Sequence, residues 1–379
     1  MDKMRWTVIL LGLVIVAVAA IAIAMIVNPG GQVFAPQQLA NGYSGAVPAG
    51  AMLRVPVTGI YPGGTTAGLN PAMPNMYALF QAKQMLAVHA VGNLLLSRSH
   101  FASQVALELG QVGQNGPSDG WGNRLSSLLQ AQPGGVEAVM TFGTNAPTIG
   151  QGTAPMGAFA SSKWHPTPNN LAALIETLGQ PDPLIGQQIE SGFNDRSYFK
   201  DWLAASGVPQ GTSPLQDAMR AAGIFVNSSG GPAVAIVETD NADTHIQQVP
   251  RLQALLADLD AGMALLIAGA GDAWANTVVL TMTEFGRAAA INGCNGTDHG
   301  TAFAMFLAGG NVVGGQVVAD WPGLGPSQLY QGRDLAPTTD VRAVLMGVLQ
   351  GHLGLSEQAL ATVFPNATGV TPMTGLVNG

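Results

Sequence analysis

The sequence has few charged residues and a single cysteine. Only 9% of its 379 residues are charged, and the formal net charge at pH 7 is −8. Nucleic-acid-binding domains carry basic patches that neutralise phosphates, so this composition argues against nucleic acid as a partner. The lone Cys294 excludes an intrachain disulfide framework, and we expect it to be a passive loop residue.

Apolar residues and glycine are abundant by comparison. The chain is 47% hydrophobic and contains 50 glycines. This is enough apolar sequence to build one large domain or two medium ones. The low charge is compatible with an exported protein, and we find no internal repeat.

An uncharged, mostly apolar run covers residues 6–27 and follows Lys3 and Arg5. A helix of this length, at about 1.5 Å per residue, spans the ~30 Å hydrocarbon core of a bilayer. The run is longer than a signal-peptide core, so we predict a transmembrane helix, a membrane anchor or uncleaved signal, over residues 1–28. The basic flank places the rest of the chain outside the cytoplasm, in the periplasm of a Gram-negative cell.

The remainder divides by composition. Residues 29–67 are rich in Gly, Pro and Ala and are typical of a flexible tether. Residues 68–379 are predicted to form the globular domain. Within it, the stretch from about 145 to 228 is weakly periodic and interrupted by prolines, which indicates a helical insertion or lid.

Short apolar runs in the domain predict buried strands, and the runs at Thr277–Met282 and 302–308 are typical of a parallel sheet. The runs at 85–91 and 233–237 are also predicted strands. A helical pattern at 250–268 joins 233–237 to Thr277–Met282, which makes a βαβ unit. The fold class is therefore α/β.

Metal-binding side chains follow two of these strands. Ligand sites in open α/β sheets form at the carboxyl ends of strands, and carboxylates and imidazole bind divalent cations. Glycines around the Asp-His pair let the backbone approach closely, although an ordinary solvated loop is the alternative. We predict that five residues converge on a divalent metal (Zn, Mn, Mg or Ca): Asp243, His245, Glu284, Asp298 and His299.

Ser99 is predicted to begin a helix after the strand at 85–91. As an N-cap, its hydroxyl would bond a backbone amide. As a nucleophile, it would use the helix N-terminus to stabilise a transferring anionic group. His100 adjoins Ser99 as a candidate catalytic residue, and Arg98 is placed to pair with an anion.

Other polar residues are assigned structural roles. His89, inside a predicted strand, and His352, near the end of the chain, are expected to be core histidines. Asp340 and Arg342 begin a predicted helix after Pro337, where capping and pairing explain them.

The order of several motifs resembles a known family. SRSHFASQ, DGWGNR, ADTH, TEFGR, GTDHGTA, WPGL, GRDL, TTDVRAV and HLG together resemble the bacterial exported domain-of-unknown-function family 1501, over roughly residues 68–354. That family is placed in the alkaline-phosphatase-like superfamily. The resemblance implies a three-layer α/β/α sandwich with a mainly parallel sheet, a divalent-metal site at the strand ends, and hydrolysis or transfer of phosphate or sulfate esters.

The resemblance also implies residue roles. Ser99 resembles the hydroxyl nucleophile, Asp243 with His245 resembles one metal-ligand group, and Asp298-His299 resembles the late histidine ligand. Three departures stand out. Phe285 occupies a position where alkaline phosphatases have histidine, and Asn241-Ala242 replaces a usual Gly-Trp. The family's opening strand, with its Gly-Gly-x-Asp-Gly segment, is not visible, because the predicted anchor and tether occupy that part of the chain.

We therefore expect a membrane-anchored, extracytoplasmic hydrolase acting on a small anionic ester. Ser99 would attack, and Arg287 would hold non-bridging oxygens of the ester. The alternative is a catalytically degenerate envelope or binding protein that keeps the fold. A pilin-like subunit is a third interpretation, but Pro29 and Gly30 interrupt the helix that a pilin would continue.

Overall fold

A nine-stranded sheet organises the structure, a computed structural model. The structure describes residues 12–18, 25–28, 53–55, 66–93, 95–111, 118–129, 135–143, 147–159, 169–179, 181, 183–239 and 242–378. The path across the sheet runs through β13 (Gln316–Val318), β5 (Met85–Gly92), β12 (Phe303–Ala308), β9 (Thr277–Met282), β1 (Gly12–Val18), β8 (Val234–Thr239), β6 (Val139–Phe142) and β7 (Gly157–Phe159). Off this path, β14 (Thr339–Asp340) pairs with β5.

Two smaller antiparallel sheets accompany it in the described residues. One is a hairpin of β10 (Arg287–Ile291) and β11 (Thr297–His299). The other has β4 (Thr66–Leu69) between β2 (Met25–Asn28) and β3 (Leu53–Val55). Both β3 and the first two residues of β4 fall inside 29–67, the segment predicted to be a flexible tether.

Helices connect these strands, and the chain is a mixed α/β protein. The described α-helices are α1 (Pro74–Gln81), α2 (His100–Leu109), α3 (Trp121–Ser126), α4 (Asn169–Gly179), α5 (Pro183–Ala205), α6 (Pro214–Asn227), α7 (Gln248–Ala270), α8 (Val341–Leu353) and α9 (Glu357–Val363). Short 3-10 helices cover Thr148–Gly150 and Gly271–Asn276. The predicted insertion at 145–228 contains α4, α5 and α6, and it also supplies the edge strand β7.

Strand directions explain where a site forms. Both β8 and β9 run parallel to β1, whereas β12 runs antiparallel to β9 and to β5. It follows that β5, β8 and β9 point the same way. The prediction that 302–308 is a parallel strand is wrong: β9 reaches β12 through the β10–β11 hairpin and not through a crossover helix, and neighbouring strands joined in this way run antiparallel.

The start of the chain differs from its prediction. Gly12–Val18, inside the predicted transmembrane helix, is strand β1 in the interior of the large sheet, paired with β8 and β9. A run of Val, Ile and Leu without polar positions is as typical of a strand covered on both faces as of a membrane helix, and periodicity does not separate the two. The other residues of the predicted anchor, 1–28 outside β1 and β2, lie beyond the described ranges.

Alternate residues of the strands enter two hydrophobic clusters. In β5, Met85 and Ala87 join a cluster with residues of α1, α6 and α7. Leu86 and Val88 of the same strand join a second cluster with residues of α2, α3, α8 and α9. Helices thus cover both faces of the sheet, and their burial stabilises it by roughly 25 cal/mol per Å² of apolar surface removed from water.

One helical stretch of the described residues, Gln248–Asn276, is long and apolar enough to cross a membrane. Half of the most apolar segment of this stretch is buried inside the fold. Leu256 and Leu259 on this helix are fully buried in the first cluster, beside α6. These contacts are those of a core helix.

Candidate active site

Three strand ends on one edge of the sheet carry the candidate site. The chain leaving β5 enters α2 at His100, and the chain leaving β8 carries Asp243 and His245. The chain leaving β9 carries Glu284 and then the β10–β11 hairpin, which ends at His299. This is the position at which open α/β sheets bind ligands.

Asp243 is the centre of the cluster. Its Oδ1 atom accepts a hydrogen bond from Arg287 at 2.7 Å and lies 3.0 Å from Nε2 of His299 and 3.1 Å from Nε2 of His245. Its Oδ2 atom lies 3.4 Å from Nε2 of His100. Burial raises the pKa of Asp243, but the hydrogen bond from Arg287, the contact with His299 and the charge of Arg287 outweigh burial and lower the pKa to about 2.

His245 and His299 face each other through their Nε2 atoms, which are 2.9 Å apart. Nδ1 of His299 lies 2.6 Å from the backbone oxygen of Arg98, and Nδ1 of His245 lies 3.3 Å from a carboxylate oxygen of Asp298. Both partners can only accept hydrogen bonds, which assigns the proton of each neutral ring to Nδ1. Both Nε2 atoms then carry lone pairs, as metal-binding histidines do.

Asp298 lies at the rim of this cluster of histidines and carboxylates, where it contacts His245. Asn292 donates to its Oδ1 atom at 3.2 Å and also donates to the backbone oxygen of His245 at 2.9 Å. The hydrogen bond from Asn292 lowers the pKa of Asp298, and the nearby His245 and Arg333 lower it further against the effect of burial. Asp298 is therefore an ionised acceptor that orients His245.

Glu284 lies behind His100. One carboxylate oxygen of Glu284 lies 2.7 Å from Nδ1 of His100, and the other accepts from the hydroxyl of Thr283 at 3.0 Å. The His100 ring packs between the rings of Phe285 and His299, with centroids 4.7 and 4.3 Å away. Glu284 thus orients His100, and one ligand atom each of His100, Asp243 and His299 lie within 4.8 Å of one another.

Arg287 does not have the exposed position expected of an anion clamp. Its side chain is only 2% exposed. Its Nε atom donates to the hydroxyl of Thr297 at 3.1 Å, its second terminal nitrogen donates to the Thr297 backbone oxygen, and its first holds Asp243. These contacts engage all three of its nitrogens, so Arg287 positions Asp243 and β11.

Ser99 is exposed at the N-cap of α2. Its side chain makes no capping hydrogen bond, and its backbone N–H donates to the hydroxyl of Ser97 at 3.1 Å. The simple cap interpretation therefore has no bond to support it. Both neighbours of Ser99 in the chain contact the cluster. The backbone oxygen of Arg98 holds His299, and the His100 ring faces Asp243.

Arg98, which the sequence places to pair with an anion, is paired with a carboxylate of the chain itself. Its guanidinium pairs with the fully buried Asp334, with Nε 2.7 Å from the carboxylate, and also donates to the side chain of Gln331 at 2.8 Å. Burial raises the pKa of Asp334, and Arg98 opposes that effect. Sequence reasoning also missed Asn292 and Arg333 at the rim, because neither belongs to a ligand-like pair in the chain.

Close backbone approach fixes the hairpin against the loop that carries His245. A Cβ atom at Gly296 would lie 2.1 Å from the backbone oxygen of His245, and one at Gly300 would lie 2.4 Å from that of Arg287. The hairpin turn also accepts, through Asn295, a hydrogen bond from Gln248 at the start of α7. Glycine is required here by space, as the glycines around Asp298 and His299 suggested.

The donor set suits a divalent cation. Atoms bound to one metal at about 2.0–2.2 Å lie roughly 2.9–3.5 Å from one another. Asp243 Oδ1, His245 Nε2 and His299 Nε2 form a triangle with sides of 3.1, 3.0 and 2.9 Å. Two imidazoles and one carboxylate are a ligand set used for zinc and other first-row metals.

The fold and the cluster define an α/β protein with a histidine–carboxylate site at the carboxyl ends of its strands. The chain belongs to the family described as protein of unknown function (DUF1501), which matches residues 68–364. No curated protein matches the chain in sequence. Among solved structures, the crystal structure of Ps i-CgsB in complex with k-i-k-neocarrahexaose is similar with 10% identity and a TM-score of 0.39, covering 95% of this chain and 76% of that one.

Proposed function

We propose that the chain is a metal-dependent hydrolase of phosphate or sulfate esters with an alkaline-phosphatase-like α/β/α architecture. The observation that carries the proposal is the convergence of Asp243, His245 and His299 from two strand ends, with their acceptor atoms 2.9–3.1 Å apart. Acceptor atoms repel one another at this distance unless a proton or a cation lies among them. The architecture is supported by helices on both faces of the sheet.

The residues of the chain have distinct roles in this proposal. Asp243, His245 and His299 would hold the cation, with His100 facing them. A divalent cation there would act as a Lewis acid, which stabilises negative charge that develops on ester oxygens. Ser99, at the positive end of α2, is the proposed nucleophile, and the first N–H groups of that helix favour the transferring anionic group.

His100 has a geometry suited to holding a proton near Ser99. Its Nδ1 atom is fixed by Glu284 at 2.7 Å, and its Nε2 atom is directed toward Asp243 at 3.4 Å. A carboxylate that orients an imidazole in this way selects its tautomer. Glu284 is accordingly a positioning residue, with Phe285 packed against the ring.

A second candidate function is a catalytically degenerate binding protein, and two observations favour it. Arg287 donates to Asp243 Oδ1, the same oxygen that would bind a metal, and so competes with the cation for it. In addition, the sequence has no acidic residue between Asp2 and Glu108, so no carboxylate follows β1 closely. A cation would then have to be held only by residues that follow β8 and by residues of the β10–β11 hairpin.

An extracytoplasmic location and a membrane anchor stay predictions. They rest on the basic residues Lys3 and Arg5 and on the apolar run after them. The strand at Gly12–Val18 opposes a membrane-spanning helix over the same residues.

The experiment is metal analysis of the purified full chain, followed by assays with aryl and alkyl phosphate and sulfate esters. We expect one tightly bound divalent cation and ester turnover that a chelator abolishes and added metal restores. Metal binding without turnover on any ester would support the binding-protein alternative. A chain that binds no zinc, manganese, magnesium or calcium would contradict both the hydrolase and its metal site.

A further inference from the structure

An anionic ester needs a cationic side chain with exposed donors near the cluster. Three arginines lie at this edge of the sheet: Arg98, Arg287 and Arg333. Arg98 is engaged by Asp334 and Gln331, and Arg287 is buried with all its nitrogens in use. The side chain of Arg333 is 43% exposed, and its ion pairs with Asp298 and Asp334 are long, at 3.8 and 3.6 Å.

The contacts of Arg333 place it on the rim of the site. Its terminal nitrogen donates to the backbone oxygen of His299 at 3.2 Å and lies 3.8 Å from a carboxylate oxygen of Asp298. Its Nε atom lies 3.6 Å from Asp334. A guanidinium has five N–H donors, and only one of those in Arg333 is at hydrogen-bonding distance from a described residue.

The backbone under this side chain is fixed, although the side chain is exposed. The backbone oxygen of Arg333 accepts from the N–H of Ala289 in β10 at 3.0 Å, and the next residue, Asp334, bridges to Ala288. Asp334 is fully buried and paired with Arg98. A rigid base that carries an exposed, loosely paired guanidinium is what binding of an anionic group requires.

We propose that Arg333 binds the non-bridging oxygens of the anionic substrate, the role that the sequence pattern suggests for Arg287. The inference rests on the proposed function, since it names the residue that recognises the phosphate or sulfate group at that site. The pair with Asp298 is long enough to open at little cost, because exposed ion pairs contribute little to stability. Once released, the guanidinium can offer two parallel donors to the anion.

The test measures binding of inorganic phosphate and of sulfate to the full chain by calorimetry, in a metal-free arm and in a zinc-loaded arm. In both arms we expect Arg333→Ala to weaken phosphate binding by about tenfold to a hundredfold, because charge-assisted hydrogen bonds are lost. Arg333→Lys should recover part of the affinity as a point charge without the fork. Zinc affinity should be unchanged in both variants.

Lys200→Ala is the matched control. Lys200 is exposed and lines a separate cavity with Arg220 and Asp217, so its variant tests whether loss of any exposed cation lowers anion binding. The proposal is overturned if Arg333→Ala binds phosphate within about twofold of the unmodified chain, if Lys200→Ala causes an equal loss, or if the unmodified chain binds neither anion. Failure of the proposed function is seen separately, as absence of zinc binding or of ester turnover while Arg333-dependent phosphate binding persists.

Discussion

The Nε2 atoms of His245 and His299 lie 2.9 Å apart, although the residues are 54 positions apart in the chain. Each ring is held from behind by an acceptor, Asp298 for His245 and the Arg98 backbone oxygen for His299. Two neutral rings fixed in these tautomers bring lone pairs together beside the Asp243 carboxylate. That arrangement is stable only with a cation or a shared proton among the three atoms, and the two options make different predictions.

A metal site predicts that His245→Ala and His299→Ala each weaken zinc binding at least about tenfold. Removal of one of three protein ligands leaves an incomplete coordination sphere, and loss of even a supporting residue commonly costs 10- to 100-fold. Titration calorimetry with zinc, together with elemental analysis after dialysis, measures the effect.

Cys294→Ser provides the matched control, because Cys294 is an exposed thiol in the same hairpin. We expect its zinc affinity to equal that of the unmodified chain. If the two histidine variants bind zinc as well as the control does, the histidines share a proton and do not hold a metal.

The hairpin glycines predict a second contrast. Gly296→Ala should destabilise the fold by about 1–3 kcal/mol and impair zinc binding, since its Cβ would lie 2.1 Å from the backbone oxygen of His245. Gly293→Ala, in the same turn, has nothing within 4 Å of the added atom and should be neutral within about 0.5 kcal/mol. Urea unfolding of both variants measures this difference in stability. Equal stability of the two variants would show that the close approach of residue 296 to the backbone oxygen of His245 is not required.

The sequence predicts the strands and the cluster better than it predicts the network between them. β9 begins and ends where the apolar run does. β5 and β12 differ from their runs by one residue at one end, and β8 differs by one residue at its start and two at its end, because short runs of buried apolar residues are strong signals. The ligand-type side chains come together because strand ends do. Local pattern carries no information on which partner a side chain selects, so the burial of Arg287 against Thr297 and the pairing of Arg98 with Asp334 were missed.

Two elements differ from the sequence pattern for the same physical reason. The run at Gly12–Val18 satisfies both the membrane-helix and the buried-strand pattern, and only its pairing with β8 and β9 distinguishes them. The direction of β12 depends on the connection from β9, which is a hairpin and not a helix. Both are long-range properties that hydrophobic periodicity does not encode.

Ser99→Ala is predicted to leave stability nearly unchanged, because the Ser99 side chain makes no capping hydrogen bond. Ser356→Ala is the contrasting variant. The Ser356 hydroxyl accepts from the backbone N–H of Ala359 at the start of α9, and loss of such a cap costs about 1 kcal/mol. Urea unfolding compares them, while ester hydrolysis by Ser99→Ala should fall by orders of magnitude. Full activity in that variant would remove Ser99 from the mechanism.

The buried His89 is expected to make the folded protein less stable below neutral pH. Burial in β5 lowers the pKa of His89 from 6.5 to about 4. Between these values the unfolded chain takes up a proton that the folded chain does not, so stability falls as pH decreases from about 6.5 to 4. The loss attributable to His89 approaches about 3 kcal/mol at pH 4.

Urea unfolding at half-unit steps from pH 8 to 4 measures this slope. His89→Gln should flatten the curve in the acidic window, whatever its stability at neutral pH. Between pH 7 and 8 both states are neutral at this residue, so neither protein should show a slope from it. An unchanged acidic slope in the variant would assign the sensitivity to other groups.

Deletion of residues 1–28 separates the two interpretations of the N-terminal run. As strand β1, Gly12–Val18 pairs with β8 and with β9, so its loss leaves two unpaired strand edges inside the sheet. We expect the shortened chain to be insoluble or unfolded, as judged by circular dichroism and protease digestion.

An unrelated transmembrane helix fused in place of residues 1–28 is the decisive control. A membrane anchor would be replaceable by that helix, whereas an interior strand would not, because only a chain with β-strand hydrogen bonding can fill the gap between β8 and β9. A folded, zinc-binding protein that begins at residue 29 would show that β1 is dispensable. That result would support the membrane-anchor interpretation of the apolar run.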